Sequence, residues 1–410
     1  MSRISDASLR AVYDSRGRPT VEATVVTDSG HVGRVGAPSG ASTGATEVAA
    51  FPSGGVAEAI LRFRSLLRPR LLGRDSTDQA GFDGTLHEAD GTTNFSRVGG
   101  NTACALSVAF AVARSLEAGR PLWEVFRRPG VDGRSYPTIV GNCLNGGRHA
   151  IGGPEFQEFL AISSAPDPAD AIRAALAVHV RVGEALKARF PRAALGRGDE
   201  GGWVAPVSNI EGLEILTDAC TRVREELKLP VHPGLDLAAS EFYEDGRYRY
   251  REQTLDGEGQ LGFLVGLVER YGLAYVEDPF QEEQFESFAQ FTRAVGHRAM
   301  VVGDDLYTTR LDRLEEGLKR SAGNAILIKV NQVGTLTDTF ATVDRARAGG
   351  WRTVTSHRSG ELPEGWLAHL AVGTGAAGLK CGLLGGERVA KLNELLRVAA
   401  PTGAGRIHES

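Results

Sequence analysis

Between residues 19 and 36 apolar and polar side chains alternate through Val21-Glu22-Ala23-Thr24-Val25, the period of a half-buried strand, and Asp28-Ser29-Gly30 then reads as a turn. From Ala103 to Leu116 the spacing becomes helical, and Arg127-Arg128-Pro129-Gly130 breaks it. These signals predict an α+β unit over residues 1–128. Over residues 129–410 the rhythm is different: short β-rich runs recur, most of them followed by a helical stretch. One such helix is expected after Ala165-Pro166-Asp167, with Ile172, Leu176, Val180 and Leu186 on its apolar face.

The β-rich runs share a further regularity. Pro233-Gly234-Leu235 ends on Asp236, Leu273-Ala274-Tyr275-Val276 on Glu277, Met300-Val301-Val302-Gly303 on Asp304, Ala325-Ile326-Leu327-Ile328 on Lys329, and Thr353-Val354-Thr355-Ser356 on His357; the weaker Gly378-Leu379 ends on Lys380. In a (β/α)8 barrel the C-terminal strand ends surround one pocket, so six residues far apart in sequence would converge. The plain alternative is that each acid caps the next helix. Two lysines in the same series argue against it.

A chain of 410 residues with 52 glycines has length for such a barrel and a smaller domain. A net charge of -5, without a basic run, argues against nucleic acid as a partner. Cys104, Cys143, Cys220 and Cys381 lack paired spacing, which fits neither a disulfide framework nor zinc. The opening Met-Ser-Arg-Ile-Ser-Asp is no signal segment, and no apolar stretch reaches the roughly 20 residues that span a bilayer. A cytoplasmic protein without membrane contact is the expectation.

Asp236, Glu277 and Asp304 offer only hard oxygen ligands, which selects magnesium over zinc; a structural salt-bridge network is the competing reading. Lys329 on the next strand favours the former. Buried and facing a divalent cation, its neutral amine would be favoured, making it a general base.

Longer motifs then come into view: Asp14-Ser15-Arg16-Gly17-Arg18-Pro19-Thr20-Val21-Glu22, Pro38-Ser39-Gly40-Ala41-Ser42-Thr43-Gly44, Asn145-Gly146-Gly147-Arg148-His149-Ala150, Gln157-Glu158-Phe159, Gly198-Asp199-Glu200-Gly201-Gly202, Val276-Glu277-Asp278-Pro279-Phe280, Gly303-Asp304-Asp305-Leu306, Ile328-Lys329-Val330-Asn331-Gln332 and Ser356-His357-Arg358-Ser359-Gly360-Glu361. Over nearly its whole length the chain resembles the enolase (phosphopyruvate hydratase) family. The resemblance implies an enolase-like (β/α)8 barrel with an N-terminal α+β capping domain, and elimination of a β-hydroxyl from 2-phosphoglycerate or a close analogue. It implies that Asp236, Glu277 and Asp304 hold a first Mg2+, that Ser39 on a lid segment joins a second one completed by substrate, and that Lys329 takes the α-proton. Glu200, with Glu158 alongside, would protonate the leaving hydroxyl, one of the two being kept protonated. Lys380 would add positive charge, Arg358 and Ser359 would bind the phosphoryl group, Gln157 would contact substrate, and His149 and His357 would assist as donors. A homodimer or higher homo-oligomer is implied as well.

Three segments depart from the family pattern: the contracted Ala49–Gly55, Glu361-Leu362-Pro363-Glu364, and Cys381–Arg388. They are expected near the pocket mouth or a dimer surface. They suggest an alternative, a carboxyphosphonoenolpyruvate synthase of a phosphinothricin-type phosphonate pathway, whose substrate carries an extra carboxylate on phosphorus. Arg148, beside His149, would then supply charge for a phosphonylated substrate. A third reading, a non-catalytic enolase-fold binding protein, predicts loss of a proton-transfer residue, and every one is present.

Overall fold

The computed structural model describes residues 2–41, 44–133, 135–150 and 152–400. Its first element is β1 (Ile4–Tyr13), which the sequence patterning did not single out; it pairs antiparallel with β2 (Pro19–Thr27), and β2 with β3 (Val32–Gly36). Alternation along β2 buries Val21, Ala23 and Val25 completely. The expected helix is α1 (Gly100–Glu117), which packs across this sheet. A Cβ on Gly33 would stand 1.9 Å from the Ala109 carbonyl oxygen, so only glycine permits that approach.

The barrel strands are β4 (Thr138–Asn145), β5 (Glu158–Ser163), then, after helix α2 (Pro168–Arg189), β6 (Val231–Asp236), β7 (Tyr275–Glu277), β8 (Met300–Gly303), β9 (Ala325–Ile328), β10 (Arg352–Ser356) and β11 (Gly378–Gly382), which is followed by α3 (Gly386–Ala399). β11 pairs with β4 and closes an eight-stranded barrel. The strands are not all parallel: β5 runs against both β4 and β6. Glu158 therefore reaches the active end by starting its strand, opposite Asp236 in register. Val140, Leu160, Ile162, Tyr275, Val302, Leu327 and Val354 fill the interior beneath that end.

α2 starts where expected: the Asp167 carboxylate accepts from the backbone of Ala169 and Asp170, and Pro168 sits in the first turn. Its buried face is corrected. Ile172 and Leu186 are buried, but Val180 is 55% exposed, and the stripe continues instead through Ala175, Val178 and Val182. Steps of four residues overshoot a 3.6-residue turn, so from Ile172 to Val180 the series rotates about 80° off the face. No helix among the described residues is long and apolar enough to cross a membrane.

Candidate active site

One wall of a cavity at the barrel's active end consists of strand ends. β7 lies between β6 and β8, with Glu277 paired to Asp236 in the ladder, and Asp304 follows β8 directly. Lys380 reaches in from β11: its Nζ is 2.8 Å from Asp236 Oδ2, 2.7 Å from Glu277 Oε1 and 3.2 Å from Glu158 Oε2. Lys329 Nζ holds Asp304 Oδ2, while the Gln332 amide donates to Asp304 Oδ1 at 2.9 Å. The Gln157 amide reaches Asp236 at 3.4 Å. Burial pushes the Lys329 ammonium pKa down, but with Asp304 paired to it the net direction is upward.

Asp236, Glu277 and Asp304 are a plausible chemical set for a hard divalent cation, yet they are not drawn tight. Among the described residues, groups of three potential ligands with all ligand atoms within 4.8 Å are His149–Glu158–Glu200 and Asp278–Asp304–Asp305. The lysines account for the difference: Lys380 bridges Asp236 and Glu277, and Lys329 occupies Asp304. Asp278 is committed elsewhere, its two oxygens accepting the backbone N–H groups of Asp304 (2.9 Å) and Asp305 (2.8 Å). The oxygen-only donors and the positive charge already drawn to them fit a hard cation.

The opposite wall carries two buried carboxyls and two histidines. Glu200 lies in the loop between two short strands, Gly196–Arg197 and Trp203–Val204, and is 4% exposed. His357 Nε2 is 3.1 Å from its Oε2, Ser359 Oγ 3.3 Å from its Oε1, and the Asn142 amide donates to it at 3.4 Å. His149, in the turn Gly147–His149, stands between the two acids, 3.4 Å from Glu158 and 3.9 Å from Glu200. Burial and the neighbouring Glu200 raise the Glu158 carboxyl to about 7, against the pull of Lys380. Burial acts upward on Glu200 too, but His357 and His149 outweigh it and hold that carboxyl well below the usual range. The two carboxyls are thus driven apart, Glu158 upward and Glu200 downward.

Sequence reasoning missed several partners. Glu47 grips Arg358 with both oxygens, its Oε1 2.9 Å from Nη2, and Asn331 accepts from Arg358 Nη1 at 2.8 Å. Tyr275 donates to Glu277 Oε2 at 2.5 Å from within the barrel. Arg388, fully buried, donates to His357 Nδ1 at 2.7 Å. A strand tyrosine two residues before Glu277 was the one visible signal; the rest required the fold.

A family model described as the enolase N-terminal domain matches residues 4–126, and one described as the enolase C-terminal TIM barrel domain matches residues 134–409. The chain belongs to the enolase family. It is 45% identical over 406 residues to an enolase of Halorubrum lacusprofundi, covering 97% of this chain and 99% of that one. It is 47% identical over 403 residues to an enolase of Methanothermobacter thermautotrophicus, covering 97% and 96%. An enolase of Picrophilus torridus is 40% identical over 395 residues, covering 96% and 98%.

Within this enolase-family chain two expected contacts differ. Ser39 is bridged to Gly360 through its backbone, and its hydroxyl donates to Asp14 Oδ2 at 2.5 Å, so it is turned to Asp14 instead of the acids; Gly40 and Ala41 line the cavity in its place. Ser42 and Thr43 of that segment lie outside the described residues. Arg148 is corrected: its side chain is 58% exposed and paired with Glu241, because the turn that brings His149 inward sends the preceding residue outward. The three departing segments pack within the chain. Ala49 and Ala50 hydrogen-bond along the start of α1, with Gly100 donating to Ala49 at 2.7 Å. Cys381 and Leu383 are fully buried, the Cys381 thiol pushed up to about 12 by that burial, and Leu384 packs beneath Gly201. Glu361 pairs with buried Lys391 at 2.8 Å, and Leu362 packs on Gly36.

Proposed function

We propose that this enolase-family chain removes the α-proton of 2-phosphoglycerate, or a close β-hydroxy acid analogue, and expels the β-hydroxyl as water to leave the enol phosphate. The observation that carries this reading is the presence, around one cavity, of a lysine on one wall and a pair of buried neighbouring carboxyls on the other. Proton removal and proton delivery then act on different atoms of the substrate.

Lys329, once deprotonated, accepts the α-proton as the C–H bond breaks. Lys380, paired with Asp236 and Glu277, faces the charge that develops on the substrate carboxylate. Mg2+ held by Asp236, Glu277 and Asp304 would supply further positive charge there and relieve Asp304 of its hold on Lys329. Glu200, taking up a proton from the raised Glu158 carboxyl beside it, passes it to the departing hydroxyl as the C–O bond breaks. His149, His357 and Ser359 keep that pair in place, and Arg358 provides its planar donor fork for the phosphoryl group. Gln157 orients Asp236.

The carboxyphosphonoenolpyruvate alternative draws on Arg148 and on the contracted Ala49–Gly55 segment. Arg148 faces Glu241, and Ala49 and Ala50 are bonded to the start of α1, so neither observation favours it. A second Mg2+ completed by substrate and Ser39 would require Ser39 to turn from Asp14. A division at residue 128, a cytoplasmic location and a homo-oligomeric state belong to the same reading.

The test supplies 2-phosphoglycerate with Mg2+ and follows phosphorus NMR. Phosphoenolpyruvate should appear, and removing divalent cations with EDTA should stop it. No turnover of 2-phosphoglycerate, or turnover only when a phosphonoformate donor is added, would reject the proposal.

A further inference from the structure

Arg388 is the largest fully buried side chain of the described residues, and it occupies the first turn of α3. A cation there opposes the helix dipole, so the helix itself gains nothing from it. Its guanidinium instead spends all four terminal N–H groups on the loops of the Glu200 wall. Nη1 donates to His357 Nδ1 at 2.7 Å and to the Arg358 carbonyl at 2.5 Å; Nη2 donates to the Asp199 carbonyl at 3.0 Å and to the Ser359 carbonyl at 2.5 Å. The remaining Nε faces Glu387 at 3.3 Å.

Arginine is only a donor, so Nδ1 of His357 must accept. The Gly382 N–H points at the same nitrogen from 3.3 Å. A neutral imidazole whose Nδ1 accepts carries its proton on Nε2, and Nε2 is the atom 3.1 Å from Glu200 Oε2. We propose that Arg388 is a positioning residue: by donating to Nδ1 it sets the His357 tautomer, and so makes His357 a fixed donor to Glu200 while its other bonds tie the Glu200 loop to the His357–Ser359 loop. The importance of this for turnover rests on the reading of Glu200 as the acid; the tautomer does not. The charged groups facing His357 are Glu200 from the opposite loop, Arg388 from α3 and Glu361 from its own loop, and burial, with Arg388 adding to it, pushes His357 down to about 4 despite the two acids.

The first measurement is nitrogen NMR of the 15N-histidine-labelled wild-type protein, with His357 assigned by its loss in His357→Gln. Protonated Nε2 and unprotonated Nδ1 are expected at pH 7; a proton on Nδ1 overturns the proposal whatever the activity. The second compares Arg388→Met and Arg388→Lys on 2-phosphoglycerate with Mg2+. Elimination by Arg388→Met should fall about 100-fold and α-proton exchange by much less, with Arg388→Lys restoring part of the loss. Without the nearby guanidinium, the His357 pKa rises toward its ordinary value near 6.5, so the acid limb of elimination should move to higher pH. A folded Arg388→Met in which elimination and exchange fall equally, or not at all, with an unmoved acid limb overturns the positioning role. If Arg388→Met fails to fold, the same criteria apply to Arg388→Lys. Should Glu200→Gln still eliminate, the functional reading fails while the NMR result stands.

Discussion

The two walls of the cavity are held by different means. On the strand-end wall each of Asp236, Glu277, Asp304, Lys329 and Lys380 sits on or just after its own strand, and neighbouring strands are locked at about 4.8 Å by ladder hydrogen bonds. Backbone alone spaces these groups. On the loop wall Glu200, His149, His357 and Ser359 sit in turns and loops, and distant side chains tie those loops down. Arg16 pairs with Asp199 at 2.9 Å, His179 reaches the Gly201 carbonyl at 2.9 Å, and the Ser15 hydroxyl accepts from the Glu361 N–H at 3.1 Å. The first wall should therefore respond to loss of its reacting groups, and the second also to loss of its distant ties.

The largest effect tests the division of labour itself. Lys329→Ala should lower α-proton exchange by about 1,000-fold or more while the protein still binds Mn2+, as followed by deuterium wash-in and calorimetry. Retained exchange would remove the base from the first wall. Glu200→Gln should behave in the opposite sense: exchange continues, and elimination falls by about 100-fold or more. Equal loss of both reactions in this variant, with substrate binding intact, would merge the two walls into one functional unit.

A smaller effect probes how far the strand wall relies on side chains beneath it. Tyr275 and Glu277 are both fully buried, and a Cβ on Gly234 would lie 2.8 Å from Ile162 Cδ1 and 3.0 Å from the Tyr275 Cβ, so glycine permits this close packing. Tyr275→Phe removes only the donor to Glu277, and Mn2+ affinity measured by calorimetry should weaken about 10-fold. Unchanged affinity would show that the ladder alone orients Glu277. The smallest effect is expected outside both walls. Arg148→Ala breaks a surface pair and should leave elimination and exchange as they are, with stability within about 0.5 kcal/mol by thermal melting.

The strand wall was legible in the sequence because parallel strands of a barrel point their C-terminal ends one way, so a charged residue closing each β-rich run is enough to assemble it. Glu158 was legible only as part of a motif, since it begins a reversed strand. Helical steps of four misplaced Val180, and adjacency to His149 misplaced Arg148, because spacing along the chain does not state which way a turn faces. The sequence by itself determined the family, the barrel and the identity of the candidate acids and bases, for these follow from local pattern and residue chemistry. Only the tertiary structure decided that Lys329 and Lys380 stand on the acids, that Glu158 and Glu200 face each other with His149 between them, that Glu47 holds Arg358 and that Arg388 meets His357. Each of these depends on buried charges meeting across long stretches of chain, where desolvation and hydrogen-bond geometry fix the outcome.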